Sequence, residues 1–205
     1  MSRYTGPRVK KMRSLGLNLP GLSRKKISDN ALSPGQHGKD PKKKKLSDYG
    51  KQLLEKQKLR FNYGISETQF RRLVMAARSS KQDTGAKILE LLERRLDNVV
   101  FRAGFAPTIP AARQLVAHGH FMVNGRRVDI PSYCVDVNDV VRPRDKSIRL
   151  AAIEASLASP SLSLPNWMEF DASRRLARVA ALPTPDSVPL EMDVQLVVEY
   201  YSKRI

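Results

Sequence analysis

The chain has 205 residues and a mass of 23.1 kDa, and its 37 Lys and Arg against 20 Asp and Glu give a net charge of +17. Apolar residues, 41% of the chain, suffice for a folded core, and the charge favours a polyanionic partner, above all a nucleic acid. The single cysteine, Cys134, excludes a disulfide scaffold and a cysteine-based zinc site and fits a reducing compartment. No apolar run is long enough to span a membrane, and the basic N-terminus lacks the apolar region of a secretory signal.

The positive charge is concentrated near the N-terminus. Residues 1–60 carry 17 basic and 4 acidic side chains, so +13 of the net charge lies there. Pro and Gly interrupt residues 1–46 repeatedly, which predicts a basic extension without a core of its own. Such a segment is expected to become ordered against RNA phosphates. An anionic membrane surface is the alternative, but it would need apolar residues opposite the lysines of an amphipathic helix.

Three helices are predicted after the extension. Ser47 can cap the first of them, and Ser66 with Gln69 forms a capping box for the second. Thr84 is expected to cap the third, in which one apolar stripe continues to Val99.

A short fourth helix and a hairpin come next. Thr108 is the expected N-cap of this helix, and Gly119 is its expected C-terminal stop. Asn124-Gly125 stands between apolar and β-branched flanks, a pattern typical of a tight turn with positive φ at both residues.

Short alternating runs predict the remaining strands. One strand is expected around Cys134, which is interpreted as a small, buried and inert hydrophobe. Further strands are expected at residues 140–142, 167–170 and 176–179, with a helix at about 147–158. The tail, residues 192–201, fits either a strand or a buried helix.

One continuous stretch carries a recognisable motif. Residues 112–125 read ARQLVAHGHFMVNG, and residues 94–141 around them resemble the RNA-binding module named after ribosomal protein S-four. Shorter stretches resemble that ribosomal protein itself: SRYTGP at 2–7, PGQHG at 34–38, LSDYG at 46–50, EKQK at 55–58 and VEYYS at 198–202. The likeness covers nearly the whole chain, which is identified by resemblance as a member of the small-subunit ribosomal protein S-four family, of a zinc-free type.

The resemblance implies a primary binding protein of small-subunit rRNA. Family members bind the five-prime domain of that rRNA early in assembly, lie near the mRNA entrance beside ribosomal protein S-five, and influence decoding accuracy. The implied location is the ribosome in the cytoplasm, with an organelle matrix left open.

The resemblance also implies an α+β fold in three parts. Residues 1–46 are the N-terminal extension, and residues 47–93 plus 184–205 form a helical domain, in which the tail is a helix. An S-four-type RNA-binding domain, here called the module, is inserted at residues 94–183 and contains short helices and a small antiparallel sheet.

The chain departs from the family pattern at two places. Many members hold zinc with four cysteines in the extension, whereas residues 1–46 contain none, so neither a metal nor a cofactor is expected. The usual Gly-Asp turn of the module is Asn138-Asp139 here, and Asn tolerates the left-handed conformation. His118-Gly-His120 resembles a metal pair, but no further ligand stands nearby in sequence, so an RNA contact or a helix cap is favoured.

Polar side chains of the extension and the module are the expected RNA contacts. Structured RNA is recognised mainly through shape, phosphates and 2′-hydroxyls, and Arg can hold a phosphate with two parallel hydrogen bonds. Strand alternation puts Arg126 and Arg127 on opposite sides, so one of them is expected to face RNA. The predicted RNA-binding residues are Arg3, Arg8, Lys10, Lys11, Arg13, Lys43, Lys44, Arg94, Arg95, Arg113, Gln114, His118, His120, Asn124, Arg126 and Arg127.

An RNA-modifying enzyme with the same module is the main alternative. Arg95-Leu96-Asp97 invites comparison with the catalytic aspartate of pseudouridine synthases, but their catalytic domain follows the module, and too few residues follow residue 160 here. Asp97 is therefore expected to pair with a neighbouring arginine or to lie at the surface, and no catalytic residue is predicted. An RNA chaperone built from the module alone is another alternative, although it would lack residues 1–90.

Overall fold

The structure, a computed structural model, describes residues 4–28, 30–39 and 46–202. The helices in these ranges are α1 (Arg8–Leu15), α2 (Asp48–Asn62), α3 (Glu67–Arg78), α4 (Thr84–Glu93), α5 (Leu96–Arg102), α6 (Ile109–Ala117), α7 (Ala151–Ala158) and α8 (Val194–Ser202). The strands are β1 (Phe121–Val123), β2 (Arg126–Arg127), β3 (Val140–Pro143), β4 (Met168–Asp171) and β5 (Leu176–Val179). Single turns of 3-10 helix lie at Gln36–Lys39, Asp145–Ser147 and Pro185–Ser187. The α+β architecture is as predicted.

By packing, the chain divides into two units. One unit consists of Met1–Gly85 and Leu190–Ile205, and the other of Ala86–Pro189. The first unit therefore contains both ends of the chain, and the predicted insert, residues 94–183, lies inside the second.

Helices α2, α3 and α8 pack together in the first unit. The Ser47 side chain caps α2, and Ser66 and Gln69 form the predicted reciprocal capping box of α3. Val197 and Tyr201, four residues apart on α8, point into the core. The ambiguous tail is thus a helix, as the family resemblance implied.

A polar network joins these three helices. Lys56 Nζ donates to both oxygens of Glu67 at 2.9 Å, and the Tyr201 hydroxyl donates to Glu67 Oε1 at 2.6 Å. The Lys56 ammonium also lies 4.5 Å from the centre of the Tyr200 ring. Burial acts to raise the pKa of Glu67, but the hydrogen bonds from Tyr201 and Lys56, with the Lys56 charge, outweigh it and lower that pKa. The ionised carboxylate therefore ties α3 to α2 and α8.

The described part of the extension packs against α2 and contributes buried residues to the first unit. Gly16, with a φ of 68°, ends α1 and turns the chain back, so that Leu19 packs on Met12 in the interior. Gly21 N then donates to Asn62 Oδ1 of α2 at 3.0 Å. Met12 is the one buried residue of α1, and a single position shows no periodicity from which a helix could be predicted.

The second unit contains a five-stranded antiparallel sheet in the order β2-β1-β3-β5-β4. Val123 of β1 and Val141 of β3 are directly paired and share the buried face. In the same unit, the centre of the Phe105 ring lies 5.5 Å from the centre of the Phe121 ring and 5.7 Å from that of the Phe170 ring. Aromatic packing thus joins the loop before α6 to β1 and β4.

The predicted third helix is in fact two helices, α4 and α5. Arg95 between them has an extended backbone, with φ −65° and ψ 136°. Leu96 N donates to Tyr133 O at 2.8 Å, and Asp97 N donates to Pro131 O at 3.1 Å. Because the first N–H groups of a helix have no partner within it, these two bonds stabilise a new helix start. The apolar stripe continues across the break, so periodicity could not reveal it.

The strand predicted around Cys134 is wrong. Cys134 forms only an isolated bridge with Arg95, in the loop between β2 and β3. Val135 is buried, whereas Tyr133 and Val137 are exposed. Cys134 is exposed too, which corrects its interpretation as a buried hydrophobe, although the atoms packed around the thiol raise its pKa. The backbone of this loop forms its hydrogen bonds with backbone groups at the start of α5 rather than with a neighbouring strand.

Candidate nucleic-acid interface

Helix α6 and the turn after it present several predicted contacts. The Thr108 hydroxyl accepts a hydrogen bond from a backbone N–H of the first turn at 3.4 Å, which confirms the predicted cap. Gly119, with a φ of 73°, ends the helix as predicted. This geometry leaves Gln114 and His118 exposed and His120 half-buried.

The hairpin turn has the predicted conformation, with φ of 50° at Asn124 and 78° at Gly125. Asn124 Nδ2 donates to Asp139 Oδ1 at 2.7 Å, and Asn124 Oδ1 accepts from Val140 N at 2.9 Å. The amide thus joins the hairpin to the start of β3. Its polar atoms are engaged inside the protein rather than directed outward.

Strand β2 directs its two arginines to opposite faces of the sheet. Arg126 is paired with Val123 and Arg127 with Met122, and directly paired residues share a face. Both arginines are exposed, and Arg127 Nη2 lies 3.4 Å from Asp129 Oδ2.

Side chains from several elements meet at Gly119. A Cβ atom on Gly119 would lie 2.6 Å from Nη2 of Arg127, so the guanidinium occupies the space that a side chain would need. Arg144, directly after β3, donates from Nη1 to Gly119 O at 3.3 Å and from its backbone N to His120 O at 2.8 Å. His120 Nδ1 lies 2.9 Å from Ser147 Oγ. The C-terminal end of α6 therefore gathers one guanidinium from β2, a second from the residue after β3, and the Ser147 hydroxyl of the following 3-10 turn.

Arg95 and Arg113 are turned inward, contrary to expectation. Arg95 donates to Asp97 from Nε and Nη2 at 3.1 and 2.9 Å, and Arg113 donates to Asp97 Oδ2 from Nε and Nη2 at 3.0 and 2.6 Å. Asp97 is fully buried, and the two arginine side chains are 7% and 16% exposed. The ion pair predicted for Asp97 is confirmed. The arginines serve the packing of α5 on α6 before any ligand binds.

Arg94 and Arg102 are engaged inside the second unit as well. Arg94 donates to Glu90 Oε1 at 2.9 Å and pairs with Asp136. Arg102, the last residue of α5, is buried and donates to Ser187 O at 2.8 Å. Neither side chain forms part of an open basic face.

Four of the predicted contacts in the extension lie on α1: Arg8, Lys10, Lys11 and Arg13. Arg8 and Lys10 are exposed. Lys11 Nζ lies 5.2 Å from the centre of the Phe61 ring, and Arg13 Nε donates to Leu32 O at 2.9 Å. The remaining predicted contacts of the extension, Arg3, Lys43 and Lys44, lie outside the described residues.

Arg144 was missed by the sequence reasoning. A signal was present, because Arg142, Arg144 and Lys146 recur at every second residue. Such a repeat places charges together on one side of a strand and its continuation.

No group of three or more potential metal-ligating side chains occurs within residues 4–28, 30–39 and 46–202. In the same ranges, no helix combines the length and the apolar character that crossing a membrane requires.

The fold and this surface define a protein built on an S-four-type RNA-binding module. Residues 3–93 match the family model described as Ribosomal protein S4/S9 N-terminal domain, and residues 94–141 match the S4 domain. The chain is 55% identical to small ribosomal subunit protein uS4 of Methylobacillus flagellatus, 52% to uS4B of Nitrosomonas europaea and 50% to uS4 of Synechococcus sp. strain JA-3-3Ab, with all of both chains covered each time. The chain belongs to the small ribosomal subunit protein uS4 family, which confirms the resemblance.

Proposed function

We propose that the chain is a structural constituent of the small ribosomal subunit and binds its rRNA. Relatives over the full length are named small ribosomal subunit proteins. The observation that carries the proposal is the match of residues 94–141 to the S4 domain, because these residues include α6, the hairpin and Gly119 with the neighbouring Arg127.

Two parts of the chain contribute to binding in different ways. The exposed Arg8 and Lys10 on α1 supply attraction to phosphates, which depends on salt and not on sequence. The groups at Gly119 are held by backbone and side-chain hydrogen bonds, so they can fix the register of the protein on folded RNA.

The finer parts of the role rest on the family resemblance. The chain binds the five-prime domain of the rRNA early in assembly, contacts ribosomal protein S-five, and lies near the mRNA entrance, where it helps to set decoding accuracy. Association with the ribosome places it in the cytoplasm in this proposal, in keeping with the bacterial origin of the relatives.

An RNA-modifying enzyme is not favoured. Asp97, the residue compared with a catalytic aspartate, is fully buried between Arg95 and Arg113, so its carboxylate cannot reach a substrate. A chaperone consisting of the module alone would have no counterpart of residues 3–93, which match the ribosomal N-terminal domain.

The experiment is a binding comparison between two transcripts of equal length, one from the five-prime and one from the three-prime domain of bacterial small-subunit rRNA. We expect tight binding to the five-prime transcript only, and retention of the endogenous protein on small subunits in high salt. Equal affinity for both transcripts, or release from the subunit in high salt, would contradict the proposal.

A further inference from the structure

We propose that Gly119 forms the floor of a phosphate-binding site in which Arg127 and Arg144 together hold one phosphate of the RNA backbone. The inference rests on the proposed rRNA-binding function and adds the chemical group recognised. It also adds Arg144, which the sequence prediction did not include.

The two guanidinium groups reach Gly119 from different elements, one from β2 and the other from the residue after β3. Arg127 of β2 places Nη2 and Cζ 2.6 and 2.8 Å from the position of a Cβ on Gly119. Arg144 places Nη1 3.3 Å from Gly119 O, and the bond from its backbone to His120 fixes where its side chain begins. Only glycine allows this approach, and the φ of 73° demands it as well.

The end of a helix explains one of these cations but not two. The C-terminus of a helix carries about half a negative charge, and a cation close to that end is stabilised. Arg144 lies close to the end of α6, because it donates to Gly119 O, two residues past the last residue of the helix. Arg127 brings a second full charge to the same residue, so an excess of positive charge is left for a ligand.

The carboxylates of the protein near Gly119 neutralise this excess positive charge only weakly. Asp129 lies 3.4 Å from Arg127, and both side chains are more than half exposed, so the pair contributes little. Asp145 pairs instead with Arg142 at 2.8 Å. Arg144 pairs with no carboxylate in the part of the chain that the structure describes.

Two imidazoles complete the rim of the site. The bond to Ser147 fixes the His120 ring, and the His118 ring lies 6.1 Å from it, centre to centre. Guanidinium forks match the tetrahedral oxygens of a phosphate, and double-stranded RNA exposes its phosphates while its deep major groove is closed to side chains. The backbone phosphate is therefore the favoured ligand.

The test compares Arg127→Gln, Arg144→Gln and the double variant in the full chain. Arg174→Gln is the matched control, because it removes the same charge from the exposed turn between β4 and β5, at the opposite edge of the sheet. Affinity for the five-prime transcript is measured at several salt concentrations, and thermal melts confirm folding. Arg144→Lys keeps the positive charge but removes the paired N–H donors of the guanidinium.

Each single Gln variant should weaken binding about 10-fold. Because the remaining arginine still contacts the same phosphate, the double variant should lower the slope of log K against log salt by one phosphate contact, roughly 0.7–0.9, and each single variant should lower it by less. Arg144→Lys should weaken binding and keep the slope, and Arg174→Gln should behave like the wild type.

A slope loss of roughly 1.4–1.8 in the double variant, equal to two phosphate contacts, would mean two separate phosphates, and it would overturn the site. Single variants indistinguishable from Arg174→Gln would also overturn it, while tight binding by the wild type would leave the proposed function standing. Failure of the wild type to bind the transcript would overturn the proposed function and this inference with it.

Discussion

Asp97 joins the start of α5 to α6, and its removal is expected to destabilise the second unit strongly. The carboxylate is fully buried and accepts hydrogen bonds of 2.6–3.1 Å from Arg95 and Arg113. Asp97→Ala would deprive two nearly buried guanidinium groups of this counter-charge, and breaking a buried ion pair in this way costs about 3–5 kcal/mol. Asp97→Asn keeps the shape and one acceptor oxygen, so we expect a loss of about 1.5–3 kcal/mol.

Urea unfolding of the full chain measures both losses, through the shift of the midpoint at an unchanged m-value. Asp145→Ala is the control, because it removes an equal charge from an exposed pair with Arg142 and should cost less than about 1 kcal/mol. An Asp97→Ala protein as stable as the control would show that the buried carboxylate does not hold α5 and α6 together, and the reasoning would fail.

Glu67→Gln should cost stability at neutral pH and progressively less as the pH falls below the unfolded pKa of Glu67: the folded pKa lies below the unfolded value, so the contribution of the carboxylate is present above the unfolded pKa and is lost as the pH falls through the folded one. Urea midpoints of wild type and variant, measured at neutral pH and at a series of acidic pH values, test this, and a difference independent of pH would contradict it. Met12→Ala should cost about 2–5 kcal/mol in the same assay, whereas a solvated extension would lose less than about 0.5 kcal/mol. Gly125→Val places a β-branched residue at a φ of 78°, so its melting temperature should fall by an amount equivalent to about 1–3 kcal/mol, with Gly125→Asn as the tolerated control; equal melting temperatures would argue against a strained turn.

The sequence by itself determined those features that depend on residues at most four positions apart in the chain. Ser66 and Gln69 cap α3 reciprocally, and the Asn124-Gly125 turn adopts two positive φ values. Both could be predicted because the groups that satisfy each other are neighbours in the chain. The position of RNA-binding candidates on α6 and the hairpin followed from the same local signals.

Only the tertiary structure decided which basic side chains face inward. Arg113 meets Asp97 across sixteen residues of sequence, and Arg144 meets Gly119 across twenty-five. An arginine on a short helix has the same sequence context whether it binds a phosphate or pairs with a buried carboxylate. Its neighbours in the chain therefore do not reveal its partner. The break between α4 and α5 at Arg95 could not be predicted for the same reason. The free-energy cost of interrupting the helix is offset by hydrogen bonds to a loop more than thirty residues away, and a local sequence pattern carries no information about such partners.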